Sequence, residues 1–297
     1  MKVISVSKKR FRELNQVVLS KNITNTEAKI LDFNYRNEDK ILKALYYLEG
    51  PIFANKLYTI EMLDNNKSYL PTSFLIPDNL VTVNSEIIGF TLPKFNGANL
   101  SDILKNKNID LREQIYYLKK IGETLHQLQS IRTYTPLKNI YINDLHESNF
   151  LVDLNNRELK VIDLDSCKIA HNKVFPSKYL GENSILKYSN KYLRNNDEEF
   201  GYIKPDSNSD LYCYIIVILN YLMKDRISNY NINEFYEYLN YLEHIGINKE
   251  LINIFSKIVN NCDNENPMDY LDTITDEQIC RASKIVYSRA KNKVLIK

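Results

Sequence analysis

The chain has 297 residues, 44% of them hydrophobic and 26% charged, and its 39 basic and 37 acidic side chains leave a formal net charge of +2. That balance excludes a natively disordered chain, and near-neutrality removes the field that draws a protein to nucleic acid or to an anionic membrane. The length suits two lobes packed as one unit better than one small core.

In chain order, residues 16–20 and 28–33 are β-favouring runs separated by the polar loop 21–27. Residues 34–39 read as a turn. Residues 40–45 then form a third strand, or else a helix continuing to Leu48, since Ala, Leu and Lys favour helix. After Gly50-Pro51 a helix is expected with Phe53, Leu57, Ile60 and Met62 or Leu63 on its apolar side. Two strands follow, at 80–83 and 87–92, joined by the tight turn Asn84-Ser85-Glu86. Beyond Pro93 the stretch Phe95-Asn-Gly-Ala-Asn99 is a polar connector, and helix begins at Leu100. Residues 111–131 carry the clearest helical period, with Ile115, Leu118, Ile121, Leu125 and Leu128 on one face. Short strands are expected around Tyr141 and at 150–153 and 159–162, then an irregular stretch from Ala170 to Asn208, then helix from Ser209 onward. The expected fold class is α+β, with a β-rich unit at 1–93 and a mainly helical unit at 94–297.

Cys167, Cys213, Cys262 and Cys280 are scattered with no C-x-x-C pair, and the four histidines are equally dispersed. Reduced thiols in a cytoplasmic protein are therefore expected, without a zinc cluster. The first residues lack the apolar core of a signal peptide, and the longest apolar run, from Tyr212 to Met223, is interrupted by Asn220 and too short to span a bilayer. Neither a nucleic-acid partner nor a membrane is expected.

Two segments carry chemistry. One is Asn143-Asp-Leu-His-Glu-Ser-Asn149, followed by the apolar Phe150-Leu-Val-Asp153. The other is Val161-Ile-Asp-Leu-Asp-Ser166, after the turn Asn155-Asn156-Arg157. Phosphate transfer from a nucleoside triphosphate needs a hard cation held by oxygen ligands and a separate carboxylate to orient the acceptor hydroxyl. An Asp, four intervening residues and an Asn on one loop, with a second Asp at the end of the next strand, supply that set.

At these positions the sequence resembles the protein kinase superfamily, whose catalytic loop has the pattern D-x-x-x-x-N and whose metal-binding Asp follows a β-hairpin. The nearest pattern is that of bacterial kinase-like proteins with G-D-x-x-x-S-N and I-D-x-D-S motifs. The resemblance covers residues 14 to about 225 and implies a bilobal kinase-like fold, with a β-rich N-lobe and a mainly helical C-lobe. It implies an ATP- and magnesium-dependent phosphotransferase with Asp144 as catalytic acid-base residue and with Asn149 and Asp163 as metal ligands. Lys43 would contact the α/β-phosphates and pair with Glu61 on the following helix, with Lys29 the second candidate for that lysine. Leu92, Pro93, Lys94 and Phe95 would form the hinge that holds the adenine edge. Asp210, in Ser209-Asp-Leu-Tyr212, would anchor the catalytic-loop backbone, a role compatible with that of an N-terminal helix carboxylate.

The sequence also departs from the family pattern. No glycine lies between Met1 and Glu49, so the glycine-rich phosphate loop is replaced by Ser20, Asn22, Thr24, Asn25 and Thr26; of these, Thr24, Asn25 and Thr26 are the expected phosphate contacts. Ile142 and Asn143 stand where the family has His and Arg, which speaks against control by loop phosphorylation. Asp163-Leu-Asp165 stands for D-F-G, leaving Asp165 either in the metal site or capping a turn. No A-P-E motif occurs between Ala170 and Ser209. A Ser or Thr of a protein is the expected acceptor. His146 gives the loop the D-L-H form of aminoglycoside and choline kinases, which makes a small-molecule acceptor the first alternative. A nucleotide-binding pseudokinase scaffold is the second, motivated by the missing glycines.

Overall fold

The computed structural model describes residues 1–14, 27–133, 137–175, 178–181, 204–259 and 264–284. The strand expected at 16–20 and the candidate phosphate contacts Thr24, Asn25 and Thr26 lie outside the described residues. The fold is α+β, with a five-stranded mixed sheet and a larger, mainly helical portion.

Strands β1 (Lys2–Ser5), β2 (Ala28–Tyr35), β3 (Glu38–Leu45), β4 (Asn79–Val83) and β5 (Glu86–Pro93) form this sheet in the order β1-β4-β5-β3-β2. Among the described strands of this sheet only β1 pairs in parallel, with β4. The hairpins β2–β3 and β4–β5 each turn on two residues of positive φ, Arg36-Asn37 and Asn84-Ser85; such turns match the right-handed twist of the strands they join. Residues 40–45 are strand, and helix begins only at Gly50.

Side chains alternate between the two faces of the sheet. Leu31, Phe33, Leu42, Ala44, Val81 and Val83 gather on one face under Phe11 and Leu14, at the helix α1 (Lys8–Leu14). Ala28, Leu45 and Phe90 gather on the other against Ile60 and Phe53 of α2 (Gly50–Asn65). Lys43 lies one residue from both Leu42 and Ala44, so it projects toward α2. The buried stripe of α2 is Lys56, Thr59, Ile60 and Leu63, the i, i+3, i+4, i+7 set of one helical face.

After α2 the chain joins the helical portion by backbone pairing. The Val161 amide donates to the Ser73 carbonyl at 2.7 Å, and the Leu75 amide donates to the Val161 carbonyl at 3.0 Å. A second, three-stranded antiparallel sheet contains β6 (Ala98–Asn99), β7 (Phe150–Asp153) and β8 (Glu158–Val161). Tyr141 forms only an isolated bridge, with Lys168.

The main core lies among α3 (Leu100–Lys105), α4 (Leu111–Ile131), α6 (Ser207–Met223), α7 (Ile232–His244) and α8 (Lys249–Lys257); α5 is the single turn Lys178–Gly181. Helix α6 is buried almost all round, from Ser209 to Met223, as a helix at the centre of a bundle must be. No described helix is long and apolar enough to cross a membrane. Among the described residues Cys167, Cys213 and Cys280 form no disulfide.

Candidate functional site

The loop between Tyr141 and β7 is fixed from below. Asp206 caps α6 by accepting from the Asn208 and Ser209 amides, which sets Asp210 in the first turn, buried. Its carboxylate accepts from the Ile142 amide at 3.0 Å, the Asn143 amide at 2.9 Å and Arg132 Nη2 at 3.0 Å. Arg132 also donates to the Ile140 carbonyl at 2.7 Å. The Asp210 anchor expected from the sequence is thus present, with Arg132 as a partner that sequence reading missed. Asn143 adopts φ 63° and donates through Nδ2 to the Ser166 and Phe175 carbonyls at 3.4 and 3.0 Å. It ties this loop to the segment after β8.

Asp144 stands next in the chain. Its Oδ1 accepts from the Lys178 amide at 3.1 Å, and its Oδ2 accepts from Asn149 Nδ2 at 3.2 Å. His146 Nδ1 accepts from the Ser148 amide at 3.2 Å, so the ring proton resides on Nε2, which lies 3.6 Å from Asp144 Oδ2. Burial works to raise the Asp144 pKa, but His146, the Lys178 amide and Asn149 outweigh it and hold the carboxyl below its ordinary value. Asp144 is therefore an anion whose oxygens are directed by the loop itself.

Asn149 ends the short 3-10 turn Glu147–Asn149. Its Nδ2 also donates to the Asp144 carbonyl at 2.9 Å, which fixes the amide orientation and leaves Oδ1 as an acceptor with no hydrogen-bond partner among the described residues. The Asn149 carbonyl accepts from the Ile162 amide at 2.9 Å, so β7 and β8 carry Asn149 and Asp163 to the same end of their hairpin. Asp163 then adopts φ 64°, the left-handed region that a non-glycine residue occupies only when its surroundings enforce it.

Lys43 reaches across from β3 to meet this turn. Its Nζ donates to Asp163 Oδ1 and, at 2.6 Å, to Asp165 Oδ1, and it stands over the Phe90 ring at 5.8 Å. Burial of the ammonium works to lower its pKa, and the two carboxylates more than reverse that, so Lys43 stays protonated. Asp165 is the buried member, with a side chain 1% exposed against 34% for Asp163. Its own burial is overcome by Lys43 and Lys56, which hold its carboxyl well below the ordinary range. Asp165 thus neither joins the exposed edge of the site nor simply caps a turn; it binds lysines.

The choice between the two lysines follows from register. Ile30 and Lys43 are cross-strand partners, as are Lys29 and Ala44, and partners share a face. Lys29 therefore faces α1 with Ala44, away from Asp163. Gly89 belongs to the same geometry: a Cβ there would fall on the Lys43 carbonyl oxygen, so only glycine lets β5 approach β3 at this point.

Glu61 is a correction. It is exposed on α2 and does not meet Lys43, because five residues of helix rotate it about 140° from Lys56. Lys56 is the residue of α2 that faces the site. Its Nζ donates to Asp165 Oδ2 at 2.7 Å and pairs with Glu27 Oε2 at 2.8 Å. Sequence reading missed it, because a single lysine on a helix reads as solvated until Asp165 is placed beside it.

Among the connector residues, Leu92 extends the Phe90 face of β5, next to Lys43. Pro93 ends β5 opposite Lys40, and Phe95 lies under Lys160 Nζ at 5.9 Å. Lys94 is engaged with the other side of the sheet edge, its amide donating to the Asp39 carbonyl at 3.3 Å and its Nζ paired with Asp32 at 3.0 Å.

No protein-family model and no curated protein matches this chain. The site must be read from its own chemistry. Among the described residues no three His, Cys, Asp or Glu side chains converge as a metal cage. The oxygens on offer are the Asp163 carboxylate and Asn149 Oδ1. One carboxylate and one amide suit a hard divalent ion that retains waters and arrives with phosphate oxygens, as magnesium does. The donor set fits that group and does not fit a resident soft metal.

Proposed function

We propose that this protein is an ATP- and magnesium-dependent phosphotransferase with a bilobal, kinase-like fold. The observation that carries the reading is the meeting of Lys43 from β3 with Asp163 at the exit of β8, beside an Asp144–Asn149 loop suspended from buried Asp210. Four functions needed for phosphoryl transfer then fall to four side chains from three separate stretches of chain.

In this reading the nucleotide enters between the five-stranded sheet and the Asn149–Asp163 turn, with its base against the Leu92–Phe95 connector. Magnesium held by Asp163 and Asn149 Oδ1 supplies charge neutralisation at the phosphate oxygens. Lys43 exchanges its bond to Asp163 for one to the phosphates and keeps Asp165 as its buried counter-ion. Asp144 accepts the proton of the acceptor hydroxyl as the new oxygen–phosphorus bond forms and the bond to the leaving diphosphate breaks. The depressed pKa keeps Asp144 ionised and suits it to orient the hydroxyl as a hydrogen-bond acceptor, with proton uptake coming late, as the oxygen–phosphorus bond forms. The acceptor must take the place of the Lys178 amide on Asp144 Oδ1.

A serine or threonine hydroxyl of a protein is the proposed acceptor. His146 directed at Asp144 keeps a small-molecule hydroxyl as the alternative, because the loop then has the D-L-H form. Occupation of both Asp144 oxygens favours a second reading, a nucleotide-binding scaffold without transfer. Radiolabelled γ-phosphate separates these possibilities. Transfer from ATP to the protein itself or to a generic protein substrate, present in wild type and lost in Asp144→Ala, supports the protein-kinase reading. Transfer only to aminoglycoside or choline supports the small-molecule one. Nucleotide binding with no transfer to any of these supports the scaffold.

A further inference from the structure

The Lys43–Asp165–Lys56 chain places two ammonium groups where a single phosphate-contacting lysine would need one. Asp165 presents one oxygen to each ammonium, Oδ1 to Lys43 and Oδ2 to Lys56, and is buried where neither lysine can be drawn off it without leaving an uncompensated charge. Each lysine spends its remaining valence on a second carboxylate nearer to solvent. Lys43 takes Asp163, and Lys56 takes Glu27, whose side chain is 56% exposed. The two lysines are therefore built alike, with a permanent inner partner and an outer partner that can be exchanged. No glycine occurs among residues 21–26, which precede Glu27 in the sequence, and amide cradles that wrap phosphates rely on glycine.

We propose that Lys56 is a second phosphate-binding lysine, taking nucleotide phosphate oxygens in exchange for Glu27 while Asp165 holds it beside Lys43. This rests on the nucleotide reading above. It gives α2 a cation where Glu61 was expected to supply an acid, and it makes Asp165 the positioning residue for both lysines. An ammonium on phosphate is a charge-assisted contact, so Lys56 supplies in side-chain charge what a glycine loop would supply in backbone amides.

The test is equilibrium binding of ATP, ADP and adenosine, with magnesium, to the full chain and to Lys56→Met, Lys56→Arg and Glu27→Gln. Lys56→Met is expected to weaken ATP by about tenfold or more, the equivalent of one lost charge-assisted hydrogen bond, to weaken ADP less, and to leave adenosine unchanged. Lys56→Arg restores most of the ATP affinity. Glu27→Gln, an exposed change that needs no refolding of the core, tightens ATP because the competing carboxylate is gone; it decides the matter if Lys56→Met fails to fold. Unchanged ATP affinity in Lys56→Met, equal losses for ATP and adenosine, or no gain in Glu27→Gln would overturn the proposal. Absence of ATP binding by the wild-type chain would instead overturn the phosphotransferase reading on which it rests.

Discussion

Replacing Asp210 by Ala removes the acceptor from which the Asp144 loop hangs. The carboxylate is 1% exposed and receives two backbone amides and one guanidinium nitrogen, all at 2.9–3.0 Å. Each buried amide left without a partner costs about 1–3 kcal/mol, and a broken buried ion pair about 3–5 kcal/mol. These overlap, since Arg132 retains the Ile140 carbonyl and a water can enter the space vacated, so the expected loss is about 4 kcal/mol. In a chain of this size that lowers Tm by about 6 °C. Asp210→Asn keeps the shape and one acceptor oxygen, and should cost about half as much. Urea denaturation followed by far-ultraviolet circular dichroism at neutral pH measures both. A loss under about 1 kcal/mol in Asp210→Ala would refute the claim that this residue suspends the loop.

Two further predictions concern the sheet and the C-terminal end of α6. Gly89→Ala drives a methyl into the Lys43 carbonyl, and should cost about 1–3 kcal/mol of stability while weakening ATP binding, because β3 must shift with Lys43; a variant of unchanged melting temperature would contradict the close approach described. Lys224, the residue that follows α6, donates to the Leu104 carbonyl at 3.2 Å and lies over the Tyr221 ring; its stem is exposed, but partial desolvation of the ammonium against these groups lowers its pKa from 10.5 to about 8. A base with a depressed folded pKa binds its proton less readily than in the unfolded chain, so its contribution to stability rises as pH climbs from about 8 to 10.5. Unfolding free energies measured across that interval should rise more steeply in wild type than in Lys224→Gln, and parallel curves would contradict the assignment.

Much of the sheet was legible because its signals are local. The polar Asn84-Ser85-Glu86 break, with Asn at the first position of positive φ, separates β4 and β5, which flank it with β-branched and apolar side chains. Strand β1 was not legible. It is four residues long with one buried side chain, and its partner β4 lies more than seventy residues on, so no periodicity announces it. The choice between strand and helix at 40–45 was open for the opposite reason, since Ala, Leu and Lys favour helix while pairing on both sides, with β2 and β5, makes a strand. In the site, Asp144, Asn149 and Asp163 were legible from the hairpin that separates them, and Asp210 from its position at the head of an apolar helix. Lys56 was not, because a lone lysine on a helix reads as solvated until the carboxylate that neutralises it is known, and Asp165 comes from another part of the chain. Glu61 failed for the same reason in reverse: its spacing from Lys43 was suitable, but which face of α2 turns inward is decided by Ile60 and Leu63 packing under the sheet and against the helical core.

Under the proposed function, Asn149 and Asp163 jointly hold a divalent ion together with nucleotide phosphates. Isothermal titration of the full chain with ATP, once with magnesium and once with EDTA, tests this most directly when repeated on Asp163→Asn. The predicted result is wild-type binding that tightens by about tenfold or more with magnesium, and a variant that gains nothing from the metal. Wild-type affinity that is the same with and without magnesium, or no binding in either condition, would contradict it.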